Sequence, residues 1–312
     1  MLITAPARWD EACFAVPAVR ALVASGVGVG VLCATAQRTF WETLEGLTVL
    51  EFPANAKPRV LAAGLAGQWQ AALVWEPGVA AEACVRAAIA RRLGPNDKAL
   101  KKVLTHPVPL AAAGRPFEHR GRHYLALLET LGLETTRAEF FAAADLGLPR
   151  QAQSLLLCPD SDFGRSHEWP LARWLEVAQA LLAEGLSLTI AGLAQANGPA
   201  VKLLERLGGG IPYFKVESFA SALPLLAAQT LVLAADGSLP HLAAHLGAAC
   251  VTLFGPNDPA WKRPLGDSHA AVRRHVECAP CFLAKCPLDS RCQNELAVAQ
   301  VLAAVRARLN LG

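Results

Sequence analysis

Residues 231–259 read LVLAADGSLPHLAAHLGAACVTLFGPNDP. An apolar run stops at Asp236, Gly237 and Ser238 follow, and a stretch rich in alanine and leucine then takes up helical spacing. A second apolar run, Ala249 to Phe254, stops at Gly255, Pro256, Asn257 and Asp258. Buried strand, short helix and buried strand in succession form the unit of a parallel sheet covered by helices. Both strands end at the carboxyl edge of such a sheet, where open α/β sheets bind ligands. The first N–H groups of a helix starting near Ser238 lack internal partners, and the helix dipole adds positive charge, so that end suits a phosphate. Gly237 permits close backbone approach, Ser238 can cap or donate, and Pro240 costs nothing in a first turn. The same residues also suit a plain N-cap with an Asx-type turn.

Working outward, the alternation continues on both sides. SLLLCPD (154–160), LSLTIAGL (186–193) and TLVLAAD (230–236) read as strands. PLARWLEVAQALLAEG (170–185), GPAVKLLERLGG (198–209), FASALPLLAAQ (219–229) and ELAVAQVLAAVRARL (295–309) read as helices. Upstream, residues 1–5, VGVGVLCAT (27–35), TVLEF (48–52) and AALVWEP (71–77) have strand character, while residues 11–25 and 78–94 have helical spacing. The periodicity lapses over AAADLGLPRQAQ (142–153), which divides the chain into expected domains 1–148 and 149–312, each α/β. Two such halves place a ligand cleft between the carboxyl edges of their sheets.

Composition narrows the class. The 312 residues are 53% hydrophobic and 18% charged, enough to bury two cores. A net charge of +3 is too small to indicate nucleic-acid binding. No apolar run approaches the roughly 20 residues of a membrane span. The opening MLITAPARWDEACF lacks a basic segment leading into an apolar core, so it reads as strand and loop rather than a secretory leader, and a cytoplasmic protein is expected.

The stretch 235–259 resembles the signature of the ADP-heptose:lipopolysaccharide heptosyltransferases, glycosyltransferase family nine, in which Asp-Ser/Thr-Gly-x-x-His-Leu leads into a helix and the next strand ends in Phe-Gly-Pro-Thr. RWDEACFAVPAVRAL (8–22) resembles that family's opening Gly-Asp-x-x-x-x-x-Pro-x-x-x-x-Leu. EHRGRHYLALLETLGL (118–133) resembles its His-x-x-x-Arg-Tyr helix, and CPDSDFGRSHEWPLARWLEVAQAL (158–181) its Pro-Gly-x-x-x-x-x-Lys-x-Trp-Pro stretch. The tail ECAPCFLAKCP (277–287), continuing to Cys292, resembles a Cys-x-Pro-Cys tail common in the family.

The resemblance implies a GT-B fold of two facing Rossmann-like domains with a C-terminal helix. The first domain would bind the acceptor and the second the nucleotide-sugar. It implies an inverting transfer of a sugar, heptose in the family, to a lipopolysaccharide-type acceptor, with no cofactor and no metal. The donor would be ADP-heptose-like, and the protein would be cytoplasmic with peripheral contact at the inner membrane. Counting back from Pro17, the family's catalytic Asp falls on Glu11 and its Gly on Asp10, so Glu11 is the expected base and Asp10 the candidate if the loop shifts by one. Two carboxylates in a first helical turn also suit the dipole alone. Asp236, Gly237, Ser238 and His241 would hold the diphosphate with Gly255. His167 would assist from the position where the family carries Lys.

Other motifs have weaker readings. Asp160 and Asp162 read as a capped turn rather than a metal motif. His241 and His245, four apart, lack the Glu of a zinc-protease helix. GVGVG (26–30) lacks the spacing of a dinucleotide fingerprint. Arg86, Arg91, Arg92, Lys98, Lys101, Lys102, Arg115, Arg120 and Arg122 face only Asp97 and Glu118, a solvated basic face or a surface for an acidic, membrane-borne acceptor. Cys278, Cys281, Cys286 and Cys292 have spacings open to a structural metal, a disulfide or buried thiols. Two alternatives stand beside transfer. One is a binding protein of the same fold that has lost turnover, and the other is a protein whose tail cysteines hold a metal.

Overall fold

A computed structural model describes residues 1–110, 118–152, 154–194 and 197–309. Two compact units divide at Phe141/Ala142, seven residues before the expected boundary. The reason is local: Ala144 is buried and its N–H donates to the His245 carbonyl at 2.7 Å, so this stretch folds with the second unit. Arg115 and Gln153 of the sequence reading lie outside the described residues.

In the first unit the strands are β1 (Leu2–Thr4), β2 (Val29–Ala34), β3 (Leu47–Phe52), β4 (Ala71–Val74), β5 (Arg91–Pro95) and β6 (His106–Val108). The helices are α1 (Trp9–Ala24), α2 (Arg38–Trp41), α3 (Pro58–Leu65), α4 (Val79–Arg86) and α5 (Gly121–Thr130). The sheet is parallel with order β3-β2-β1-β4-β5-β6. Leu2, Leu32, Ala72, Val74 and Leu100 share one buried cluster. The helix expected over 78–94 ends at Arg86, and its last residues form β5. Ala88 there turns to φ +54°, and Gly94 packs so tightly on the Val74 carbonyl that a side chain would collide with it.

The second unit repeats the plan with β7 (Ser154–Cys158), β8 (Ser187–Leu193), β9 (Tyr213–Val216), β10 (Leu231–Ala235), β11 (Ala249–Phe254) and β12 (Ala270–Arg273). Around them lie α6 (Leu171–Ala183), α7 (Pro199–Leu207), α8 (Phe219–Ala228), α9 (Ser238–His245), α10 (Pro259–Lys262), α11 (Arg291–Asn294) and α12 (Val298–Leu309). The order is β12-β11-β10-β7-β8-β9, again parallel. Leu231 lies opposite Leu155 and Leu233 opposite Leu157, and all four are fully buried, as expected of strands covered on both faces.

Each sheet starts at its middle strand, runs to one edge, then returns and runs to the other. The reversal falls between β1 and β4 in one unit and between β7 and β10 in the other. Neighbouring loops diverge at such a point and leave a crevice at the carboxyl edge.

The second core leans on Trp174 of α6, fully buried and edge-on to Trp169 at 5.6 Å. Trp174→Ala is expected to cost about 3–5 kcal/mol, read from denaturant unfolding; a loss under about 1 kcal/mol would show that this ring does not anchor the helix.

Candidate functional site

Both switch points carry acidic groups. In the first unit, the loop from β1 enters α1, whose first turn holds Asp10 and Glu11, both buried. Asp10 is fully enclosed and takes a forked pair from Arg8, Nε at 3.0 Å and Nη2 at 3.1 Å. Glu11 keeps a small exposed edge of 8%. Its two oxygens each lie 3.0 Å from Arg120 Nε, and the Tyr124 hydroxyl donates to Oε2 at 2.6 Å. Burial first, and then the charge of Glu11, push the Tyr124 phenol well above its ordinary pKa, so it remains a donor.

From the end of β4, Glu76 accepts the Ala7 N–H at 2.7 Å and ties the two loops together. Its carboxyl is raised by burial, with a further push from Glu11. Gln37 closes the arrangement by donating to the carbonyls of Pro6 and Ala7. The Arg120 guanidinium and the Tyr124 hydroxyl thus fix the carboxylate in place, as an acceptor that needs no rearrangement.

In the second unit, Asp236 follows β10 and is completely buried. His167 Nδ1 lies 2.9 Å from its Oδ2, and Asn257 donates to the same oxygen at 2.7 Å. With Asp236 ionised, Nδ1 must carry the proton. Among the described residues Oδ1 has no hydrogen-bond partner. Burial is the main cause that raises the Asp236 carboxyl, against the opposing pull of His167 and Asn257.

The start of α9 differs from expectation. Asp162 accepts the Ser238 N–H at 2.7 Å and its hydroxyl at 2.5 Å, so a carboxylate of the chain itself stands at the helix end read as a phosphate site. Gly237 is needed for this approach, since a side chain there would come within 2.9 Å of Asp162. His241 lies in the same helix and is buried. A side chain at Gly255 would come within 2.4 Å of the Gln293 amide, so only glycine fits at this strand end. Asp160 accepts the N–H groups of Leu193 and Ala200 at 2.9 and 2.8 Å, capping the start of α7. Both acids of the Asp-Ser-Asp stretch are therefore capping groups.

The cysteine tail braces this site from behind. Cys281 and Phe282 donate to the Pro256 carbonyl, and Ser166, beside His167, bonds through its N–H to Ala284 and through its hydroxyl to Leu283. Cys278, Cys281, Cys286 and Cys292 are free thiols, so the disulfide is not formed. Among the described residues no three metal-ligating side chains are arranged to hold one ion. The basic stretch also divides. Arg92 donates to the carbonyls of Ile89 and Val103, Arg120 serves Glu11, and Arg122 pairs with Glu118 and Glu129. Lys98, Lys101 and Lys102 are exposed just past the carboxyl end of β5, the same sheet edge as Glu11, whereas Arg86 and Arg91 lie at its other end.

Tyr124, Glu76 and Asn257 went unread as site residues in the sequence, and Arg120 was read there only as part of a basic surface. The visible signals were the motif-like stretch 118–133, which carries Arg120 and Tyr124 four residues apart, and the strand end at Gly255 to Asp258, which carries Asn257.

The profile of glycosyltransferase family 9 (heptosyltransferase) matches residues 129–291, just over half of the chain. The chain belongs to this family. It is 29% identical over 171 residues to lipopolysaccharide heptosyltransferase 1 of Pseudomonas aeruginosa, covering 49% of this chain and 48% of that one. It is 26% identical over 121 residues to lipooligosaccharide heptosyltransferase 2 of Haemophilus influenzae, covering 37% and 35%. The chain thus matches less than half the length of these curated relatives. The solved E. coli heptosyltransferase WaaC with ADP superposes with a TM-score of 0.76 at 16% identity, over 98% of this chain and 99% of that one. That likeness shows the fold, α/β of the GT-B type.

A carboxyl raised on folding contributes stability that is full below its unfolded value, near 4, and lost as pH rises through the folded value. Asp236→Asn cannot ionise. It is expected to melt higher than the parent at about pH 8 and to lose that advantage as pH falls toward about 4. A pH-independent difference would show that charge burial is not what strains this position.

Proposed function

We propose that this protein is a glycosyltransferase that moves a heptose from a nucleoside-diphosphate donor of the ADP-heptose kind to a lipopolysaccharide-type acceptor. Family membership supports the class, and the names of its curated relatives support the substrates. The observation that carries the reading is Glu11, a carboxylate fixed by Arg120 and Tyr124 at a switch point. Glu11 takes the proton of an acceptor hydroxyl as its oxygen bonds to the anomeric carbon. The bond from that carbon to the diphosphate breaks, and its electron pair leaves with the nucleoside diphosphate. Attack opposite the leaving group inverts the centre.

The donor end is assigned to the second unit, with Asp236, His167 and Asn257 as its fixed core and Gly237, Ser238 and His241 on the adjoining helix. Asp10, held by Arg8, orients the first turn beside Glu11, and Gly255 supports the site by packing. Stabilisation of the departing diphosphate is assigned to protein donors rather than a metal. Lys98, Lys101 and Lys102 suit an anionic, lipid-anchored acceptor at the cytoplasmic face of the inner membrane, at about 1 kcal/mol per residue. Among the described residues no helix is long and apolar enough to cross a membrane.

One observation favours a second reading, a binding protein without turnover. Asp162 places negative charge at the start of α9, where the charge developing on a departing diphosphate would otherwise meet N–H groups, so it opposes departure of the leaving group more than binding of the nucleoside.

Glu11→Gln removes the proton acceptor and keeps its size. Transfer is expected to fall about 100- to 10,000-fold while nucleotide affinity stays near the parental value, and Asp10→Asn should cost much less. Parental transfer by Glu11→Gln would sink the assignment. Nucleotide binding without transfer in any form would establish the second reading. Turnover should also survive chelation with EDTA, and a strict need for added magnesium or manganese would overturn metal independence.

A further inference from the structure

We propose that the buried Asp236–His167 pair takes up one proton when the donor's diphosphate binds, and that this proton, on His167 Nε2, meets a phosphate oxygen. The inference rests on the donor assignment above. Asp236 follows β10 directly and precedes Gly237 and the first turn of α9. His167 Nδ1 lies 2.9 Å from Asp236 Oδ2, so the imidazole is tied to the strand end from which α9 starts. The turn that carries it is fixed. The His167 N–H donates to the Gly164 carbonyl at 3.0 Å, the Ser166 N–H to Ala284 at 3.3 Å, and Gln293 Nε2 to the Ser166 carbonyl at 3.3 Å.

His167 is only 3% exposed, yet its two ring nitrogens differ. Nδ1 is taken by Asp236. Nε2 has no hydrogen-bond partner among the described residues, and it is not sealed from solvent as Asp236 Oδ1 is. The two nitrogens of an imidazole point in diverging directions, so Nε2 faces away from the carboxylate that holds Nδ1. In the neutral pair the ring proton sits on Nδ1, and Nε2 offers only a lone pair, which repels an anion. One added proton turns that acceptor into a charged donor without moving the ring. The proton comes from solvent, and Asp236 stays ionised against the imidazolium.

The surrounding charges set the direction. An ionised Asp236 beside a neutral His167 is a buried net negative charge, which burial and an arriving anion both penalise. Burial already pushes the Asp236 carboxyl toward holding a proton. Asp162, from the loop after β7, adds negative charge at Ser238 and favours uptake. Lys262 of α10 draws the Asp236 carboxyl downward and opposes it. Asn257 donates to Oδ2 as a neutral amide, and Phe163 stands edge-on to the imidazole at 5.6 Å. Arg165 and Glu168, on either side of the turn, act on each other, and the cysteine tail meets the turn through the backbone of Leu283 and Ala284. Without a ligand these influences oppose one another, and a bound diphosphate adds its charge to the side that favours the proton.

The test is calorimetric titration of the full chain with ADP in buffers of different ionisation enthalpy, which counts the protons bound with each ligand. At about pH 7.5, above the second ionisation of a phosphate near pH 6, ADP contributes little of its own. The parent should take up roughly half a proton or more with ADP and none with adenosine, and its ADP affinity should fall as pH rises from about 7 to 9. His167→Asn keeps an amide N–H toward Asp236 and removes Nε2. It should bind ADP about 10-fold more weakly and take up no proton. Uptake retained by His167→Asn puts the proton on another group and overturns the proposal, as does ADP binding by the parent without uptake. Both results leave the donor assignment standing. If His167→Asn does not fold, His167→Gln takes its place, since it also lacks a titratable nitrogen. Absence of ADP binding by the parent removes the donor assignment and the proposal with it.

Discussion

A parallel sheet that starts in its middle must reverse direction once, and at that reversal two neighbouring loops part and leave a crevice. The notable chemistry of this chain is concentrated at its two reversals. Each unit closes its crevice with a side chain from one loop bonded to the backbone of the other. Glu76 accepts from Ala7 in the first, and Ser161 donates to the Asp236 carbonyl in the second. These cross-loop bonds turn two strand ends into a fixed platform. The helices that follow, α1 and α9, then present their first turns from that platform.

The two platforms hold charge differently. Glu11 is matched by a guanidinium and a phenol, so burying it leaves a satisfied ion pair. Asp236 has an amide and an imidazole on one oxygen and, among the described residues, no partner on the other. Such a buried, part-satisfied acid costs stability, and a fold keeps one where function needs it. Asp162 extends the pattern, because its carboxylate serves as an internal anion at the start of α9. The carboxyl edge of the second sheet is consequently more acidic at the start of α9 than the helix end would be from its backbone alone. The cysteine tail matters here as well, through hydrogen bonds to Pro256 and Ser166 that brace both loops.

Much of the architecture is legible in the order of residues. The strands β7, β10 and β11 are continuous apolar runs, and strands covered on both faces are compelled to look that way. α6 and α7 follow from their spacing. β5 was hidden because Arg91 to Pro95 continue the apparent spacing of an alanine-rich helix, and only pairing with β4 makes them a strand. The short strands β9 and β12 lie at the sheet's edges and carry too few apolar residues to stand out.

By itself the sequence determined two α/β halves, the strand ends at Asp236 and Gly255, the acidic first turn of α1 and a resemblance to one family. These are local properties, set by periodicity and by the chemistry of adjacent residues. Tertiary structure decided which groups meet. Arg120 and Tyr124 reach Glu11 across 109 and 113 positions, Asp162 reaches Ser238 across 76, and Gln293 fills the space beside Gly255. No local pattern encodes such pairings, because they arise only when parallel strands bring the ends of distant loops to a single sheet edge.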